Sequence, residues 1–308
     1  MIEKPMDVLT LFPVRKSAKQ KAAFREAVGQ YVASLGCKVT VEKGSMGSRN
    51  LIFGDPENAE YLITAHYDTC AGMLFPNFIT PFNFFVYFAY QLFLVLLFAV
   101  AAKAVGWPVA ELTNDIKIGY YAGMAVYFGL LIIMMMGPAN KHNANDNTSG
   151  VVTLLQTLTA MPEELRDKVC FVLFDLEEAG LVGSSSYRKK HKNPSDGQIV
   201  LNLDCVGDGD ELFLIPSKKL IRNSHLLERL KTAEREEDGK AVKVHQKGYS
   251  MYPSDQKHFP YGVGICALKR GRLGLYMDRI HTAKDTVLDE KNVNVLCKSL
   301  IDIMDSQM

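Results

Sequence analysis

The chain has little that would draw it to nucleic acid and nothing that would staple it with disulfides. Basic and acidic side chains nearly cancel, 35 against 34 in 308 residues. No stretch interleaves Lys and Arg with aromatics, which argues against a polyanionic partner. The six cysteines are scattered without any C-x-x-C spacing. Several sit inside apolar runs, as in Val169-Cys170-Phe171-Val172 and Ile265-Cys266-Ala267-Leu268, so they read as buried free thiols. The opening Met1-Ile2-Glu3-Lys4-Pro5 has no basic region leading into an apolar stretch, so no cleavable signal peptide is expected. Thiols and the missing leader together favour the cytoplasm for the water-facing part of the chain. Repeats and low-complexity segments are absent as well.

Charge is missing most sharply from two runs. Residues 82–102 and residues 118–138 contain no charged side chain, and the second ends in Leu130-Leu131-Ile132-Ile133-Met134-Met135-Met136. About 20 apolar residues suffice for a helix to cross a bilayer, and Tyr87, Tyr90, Trp107, Tyr120 and Tyr121 supply interfacial anchors. The link from Lys103 to Lys117 carries both signs of charge and a Trp107-Pro108 pair, read as the turn of a helical hairpin. The competing reading is a pair of core helices or a dimerising surface. A hairpin crosses twice, so residues 1–76 and 138–308 would lie on one side, with residues 77–137 as the insert. The expected location is thus a two-span membrane protein whose remaining segments face the cytoplasm.

Elsewhere apolar content of 48% and charge of 22% are ordinary, so a normal core is expected. Residues 17–35 show helical spacing and stop at Gly36. Residues 150–160 and 292–304 are further helices. Strands are expected at 39–42, 61–65, 169–174, 199–203, 211–215 and 264–268, while the charged stretch 231–240 reads as a solvated helix end and turn. Strands alternating with helices imply an α/β domain whose sheet is covered on both faces.

In such sheets ligands collect at the carboxyl ends of strands. There this sequence places His66 and Asp68, then Asp175, Glu177 and Glu178, then Asp204. Asn145-Asp146-Asn147 leads into a helix, and His281 and Asp285 stand near the end. Singly, each has a bland explanation: a structural histidine, an N-cap cluster, a solvated loop. Jointly they put imidazoles and carboxylates together, where the carboxylates would repel without a cation among them. A mixed His/Asp/Glu set suits a catalytic zinc site.

Five motifs in order then resemble the co-catalytic di-zinc exopeptidases, the family of bacterial leucyl aminopeptidase and aminopeptidase Y. They are Ala65-His66-Tyr67-Asp68; Asn145-Asp146-Asn147-Thr148-Ser149-Gly150; Glu177-Glu178-Ala179-Gly180; Asn202-Leu203-Asp204; and His281-Thr282-Ala283-Lys284-Asp285. Ser254-Asp255 through Phe259 also resembles the family's Ser-Asp-x-x-x-Phe segment. The resemblance implies a mixed, mostly parallel sheet of the phosphorylase/hydrolase-like kind. It implies one zinc on His66, Asp146 and Asp204, a second on Asp146, Glu178 and His281, and Glu177 as general base. Asp68 would orient His66, Asp255 would contribute to the substrate pocket, and a cis peptide is expected at Asp146–Asn147. Cobalt or manganese would suit the same ligands. The implied activity is removal of N-terminal residues from peptides. Glutaminyl cyclisation and carboxypeptidase action are the alternatives on this scaffold, and a non-catalytic membrane receptor is the alternative of another class. His66 and Asp146 stand close in sequence in soluble relatives but 80 residues apart here, so the insert should begin and end beside the metals.

Overall fold

The computed structural model describes residues 1–306 except 74 and 76. Ten strands form one mixed sheet: β1 (Val39–Lys43), β2 (Arg49–Phe53), β3 (Tyr61–His66), β4 (Val169–Phe174), β5 (Ile199–Leu203), β6 (Glu211–Pro216), β7 (Arg235–Glu237), β8 (Lys240–Val244), β9 (Tyr261–Gly271) and β10 (Gly274–Tyr276). Their spatial order is β1-β2-β4-β3-β5-β9-β6-β8-β7, with β10 paired to β9. The centre, β4-β3-β5-β9, is parallel throughout, and antiparallel pairings begin at β2–β4 and β9–β6. The α/β class and the mostly parallel centre thus match the expectation.

Parallel strands are buried on both faces and read as continuous apolar runs. In β3, Tyr61, Ile63 and Ala65 join the larger core with Phe24, Val28, Leu154 and Leu300, while Leu62 faces a second cluster with Tyr187 and Phe259. β4 divides likewise, Phe171 and Leu173 on one side and Val172 and Phe174 on the other. Helices Ala18–Ser34, Gly150–Ala160 and Glu290–Asp305 cover the first face. The Ala18–Ser34 helix opens with a capping box between Ser17 and Gln20, a sequence-legible start.

Three expectations need correction. The hairpin has no Trp-Pro turn: one helix runs Phe84–Thr113 with Pro108 inside it, and the next runs Ile116–Met136. The reversal falls at Asn114, whose left-handed conformation (φ 54°) caps the first helix, and at Asp115, whose side chain accepts from Lys117 N at 2.8 Å to start the second. Apart from Gly106 and Pro108, residues 99–112 are good helix formers or fit a helix, and their propensity carries the chain past the proline. Strand β2 went unread because its polar Asn50 breaks the pattern. The charged stretch 231–240 does begin on a helix end at Lys231 and is largely exposed, but it goes on to form the edge strand β7 and the start of β8, where buried Lys240 pairs with Asp210 (2.7 Å) and Asp289 (2.6 Å).

Both helices are long and apolar enough to cross a membrane. They pack closely on each other at Gly106, Gly119 and Gly123, but their outer faces are bare: Phe85 is 82% and Tyr121 68% exposed. The insert's base is stitched to the domain by Gly72 N to Pro138 O (2.9 Å), Asn140 N to Cys70 O (3.1 Å) and Met277 N to Ile79 O (2.9 Å).

Close approach of helix Val182–Lys190 to the end of β4 requires Gly183, where a Cβ would lie 2.2 Å from the Asp175 carbonyl oxygen. Gly29, within helix Ala18–Ser34, would meet only Val39 Cγ1 at 3.6 Å. Gly183→Ala is therefore expected to destabilise the fold by about 1–3 kcal/mol, and Gly29→Ala to stabilise it by up to about 1 kcal/mol. Denaturant melts of the two variants in detergent should show shifts of opposite sign.

Candidate metal centre

Three parallel strands end side by side, and their carboxyl ends deliver the site. His66 is the last residue of β3. Beyond β4 the chain turns through Leu176, Gly180 and Leu181, all with positive φ, so that Glu177 and Glu178 are presented on a tight loop. Asp204 follows β5 directly. Asp146 arrives from the segment before helix Gly150–Ala160, and His281 from the loop after β10, itself at φ 63°.

Asp146 stands in the middle, with one oxygen for each imidazole. Its Oδ1 lies 3.2 Å from His66 Nε2 and its Oδ2 2.9 Å from His281 Nε2. His66 Nε2 is also 3.6 Å from Asp204 Oδ1, and His281 Nε2 is 3.5 Å from Glu178 Oε1. The five residues expected to hold metal thus converge, split into His66/Asp146/Asp204 and His281/Asp146/Glu178. Two other groupings have donor atoms within 4.8 Å of one another: His66 with Glu177 and Glu178, and Cys70 with Glu178 and His281.

The backbone of the central carboxylate is held from every side. Asp285 accepts from Asn145 N (2.7 Å) and Asp146 N (3.0 Å). Asn145 Oδ1 accepts from Gly207 N at 2.6 Å, and Asn147 Nδ2 donates to Leu203 O at 2.9 Å. The Asp146–Asn147 peptide is cis, where the sequence resemblance placed one.

Asp68 faces His66 as expected, its Oδ1 3.7 Å from Nδ1, and it holds further atoms as well. Its carboxylate accepts from Glu177 N (3.0 Å) and Glu178 N (3.2 Å), while His66 Nδ1 faces the Asp68 carbonyl oxygen at 3.1 Å. Its side chain therefore positions the glutamate loop, and its carbonyl and carboxylate both face the imidazole. Asp255 does not line the cavity. Asn202 donates to Ser254 Oγ (3.0 Å) and Gln256 Oε1 (3.1 Å), drawing that turn onto β5 and leaving Asp255 fully buried. The expected substrate contact is therefore wrong.

Electrostatics report the crowding. Burial opposes a charged His66, yet Glu177, Asp146, Asp204 and Asp68 outweigh it and hold its pKa well above normal. Burial likewise opposes a charged His281, but Glu178 and Asp146 bring it up to about 9. Burial raises Glu177 well above the usual carboxylate range, helped by Glu178, Asp255 and Asp204. It pushes Glu178 to about 7, with Asp146 adding to the rise. Ser184 Oγ is engaged by the Leu181 carbonyl (3.2 Å), so both Asp255 oxygens lack a hydrogen-bond partner, as does Glu178 Oε1. Buried carboxylates left so are costly unless a cation joins them. The donor set and the orphaned Glu178 oxygen fit divalent metal.

Two supports escaped the sequence. Buried Arg15 donates from Nε to Tyr67 O (2.5 Å) and from Nη1 to Thr148 Oγ1 (3.1 Å), clamping the loop after β3 to the Asp146 segment. Cys70, four residues beyond His66, was read only as a core thiol; its position past the end of β3 was the available signal.

The model of peptidase family M28 matches residues 131–296. The chain belongs to that family. Solved structures share the fold at identities that speak for fold alone. The M28 chain superposes on the LapA aminopeptidase of Legionella pneumophila with a TM-score of 0.57 and 14% identity, covering 99% of this chain and 70% of that one. Glutaminyl cyclase of Macrostomum lignano gives 0.55 and 13%, covering 97% and 87%. The TET1 peptidase of Pyrococcus horikoshii gives 0.50 and 12%, covering 99% and 100%. No curated protein sequence matches the M28 chain.

Replacing Asp68 by Ala leaves two loop amides without their acceptor. Zinc affinity should fall about 10–100-fold, read by competition with a chelating dye on folded protein.

Proposed function

We propose that this M28 chain is a two-metal exopeptidase acting as an aminopeptidase, with the Phe84–Met136 hairpin set in a bilayer. The observation that carries the reading is Asp146, whose two oxygens face two different imidazoles, as a carboxylate shared between two cations must. His66, Asp146 and Asp204 would hold one ion, and His281, Asp146 and Glu178 the other. Zinc is the natural occupant of such a set, with cobalt or manganese compatible. When bound, the pair supplies Lewis acidity toward a scissile carbonyl and lowers the pKa of an attacking water.

The chain's own groups do the rest. Glu177 lines the cavity beside both ligand sets, and burial raises its pKa above the usual carboxylate range, which strengthens it as a base. It takes the water proton as the oxygen adds to the carbonyl carbon, then passes it to the amine nitrogen as the C–N bond breaks. Asp68 keeps that carboxylate in place through the loop amides. Leu181, Ile79, Ile280 and Met135 line the same cavity and restrict water. Glutaminyl cyclisation is the weaker reading: one zinc serves it, while both ligand sets are complete here.

The catalytic domain would then consist of residues 1–76 and 138–308 on one side of the membrane, with residues 77–137 as the insert. At ~1.5 Å per residue a helix of 30 residues exceeds the ~30 Å apolar thickness of a bilayer, and one of 21 matches it. Bare apolar faces on both helices support immersion. The cytoplasmic side is the expected one for the domain.

Purified in detergent, the protein should carry two divalent ions per chain and hydrolyse amino-acid amides until chelated. Glu177→Gln should keep both ions and lose about 10²–10⁴-fold in kcat. Full metal occupancy with no chelator-sensitive hydrolysis across the amide panel would sink the reading. Excision of residues 77–137 should release the protein from membranes; persistent membrane association would refute the anchor.

A further inference from the structure

The cavity that holds the candidate metal centre has a volume of about 310 Å³, at the small end of ligand pockets. Four carboxylates line it: Asp146, Glu177, Glu178 and Asp204. Among the described residues that line it, Lys257 is the one lysine, and no arginine joins it. Its ammonium has no ion pair or hydrogen bond among the described residues. Two other lysines lie nearby in an adjoining cavity, but both are engaged. Lys21 pairs with Asp175 at 2.7 Å, and Lys16 reaches the Met135 carbonyl at 3.5 Å.

Lys257 is well placed to act on a ligand. It rides on the short 3-10 turn Asp255–His258, which Asn202 ties to the sheet through Ser254 and Gln256. The turn is held to the sheet by those bonds, while the lysine side chain itself is exposed. An unpaired ammonium beside four carboxylates would ordinarily bend toward one of them; here it stands off, leaving its three donors available. On the two-metal reading, four carboxylates are offset by two dications, and Lys257 leaves the cavity with a net positive charge. Such a cavity favours a substrate that brings a carboxylate.

We infer that the site takes short peptides, dipeptides above all, whose free C-terminal carboxylate pairs with Lys257. This rests on the exopeptidase reading and names its substrate class. A cavity of this size holds a residue on each side of a scissile bond, so a dipeptide's terminal carboxylate falls at the wall. A longer chain carries an amide there and gains nothing from the ammonium. Lys257 is then a specificity determinant acting on substrate binding, with no part in the proton transfers.

The test is steady-state kinetics of the metal-loaded full chain in detergent on alanyl and leucyl dipeptides, on the same dipeptides as C-terminal amides, and on an amide with glutamate as second residue. Free dipeptides should exceed their amides about tenfold in kcat/KM, with the difference in KM. That ratio should fall to near one in Lys257→Ala and return in Lys257→Arg. The glutamate-bearing amide separates a side-chain carboxylate from the terminal one: equal preference for it would overturn the terminal assignment. Hydrolysis with no free-acid preference, or a preference that survives Lys257→Ala, overturns this inference alone. Hydrolysis of nothing in the panel overturns the peptidase reading together with it. Lys257 is exposed, so melting curves should confirm that both variants fold.

Discussion

The organising constraint is the crowding of negative charge around Asp146. Its carboxylate, those of Glu177, Glu178 and Asp204, and two imidazoles share one small volume. Like charges in a poorly solvated place repel strongly, and burial adds to the penalty. The fold tolerates the arrangement because the backbone around it is over-determined. Asp285 grips the two amides before the cis bond, Asn145 and Asn147 reach to the chain after β5, and Arg15 braces the loop after β3. Every one of these supports is buried, and none touches the cavity. The residues that position the site are thus as costly to place as those that form it.

Much of this was legible in the sequence for a specific reason. The centre of the sheet consists of strands whose apolar runs end abruptly in polar residues, and that boundary is where a parallel sheet puts its ligands. His66, Glu177, Glu178 and Asp204 each mark such a boundary. Asp146 and His281 lie on no strand, and it was the order of motifs, not periodicity, that drew attention to them. What could not be read depends on partners distant in sequence. Asn50 looks like a strand breaker until Gly183 O and Asp175 N are seen to satisfy it, at 3.0 and 3.1 Å. Lys240 looks solvated until Asp210 and Asp289 close on it. Asp255 looked like a pocket residue because its segment resembles the family's Ser-Asp-x-x-x-Phe; the hydrogen bonds from Asn202 to its neighbours hold it inside.

The hairpin shows how an insertion can be large without disturbing the sheet. It enters after β3 and leaves before helix Gly150–Ala160, so its ends are as close together as the strands they serve. Ala71 pairs with Ala139 and Ile79 with Met277 in isolated bridges, which hold the base against the domain. Loop-closure entropy rises only slowly with length, so lengthening this connection costs less than breaking any strand pairing would.

That location also shapes the cavity. Asn77, Ile79 and Met135, from the two ends of the insert, share its wall with the ligand residues. The cluster of carboxylates and imidazoles therefore meets apolar side chains that the insert helps to supply, and among the described residues the one lysine on that wall comes from far along the sequence. The two contributions act differently. The apolar rim strengthens every electrostatic contact within by excluding water, whereas the lysine, on the inference above, would select among the molecules that enter. Moving the insert elsewhere in the chain would remove Asn77, Ile79 and Met135 from the cavity wall and open it to solvent. The insertion point is consequently part of how the cavity is walled, because both ends of the hairpin line it.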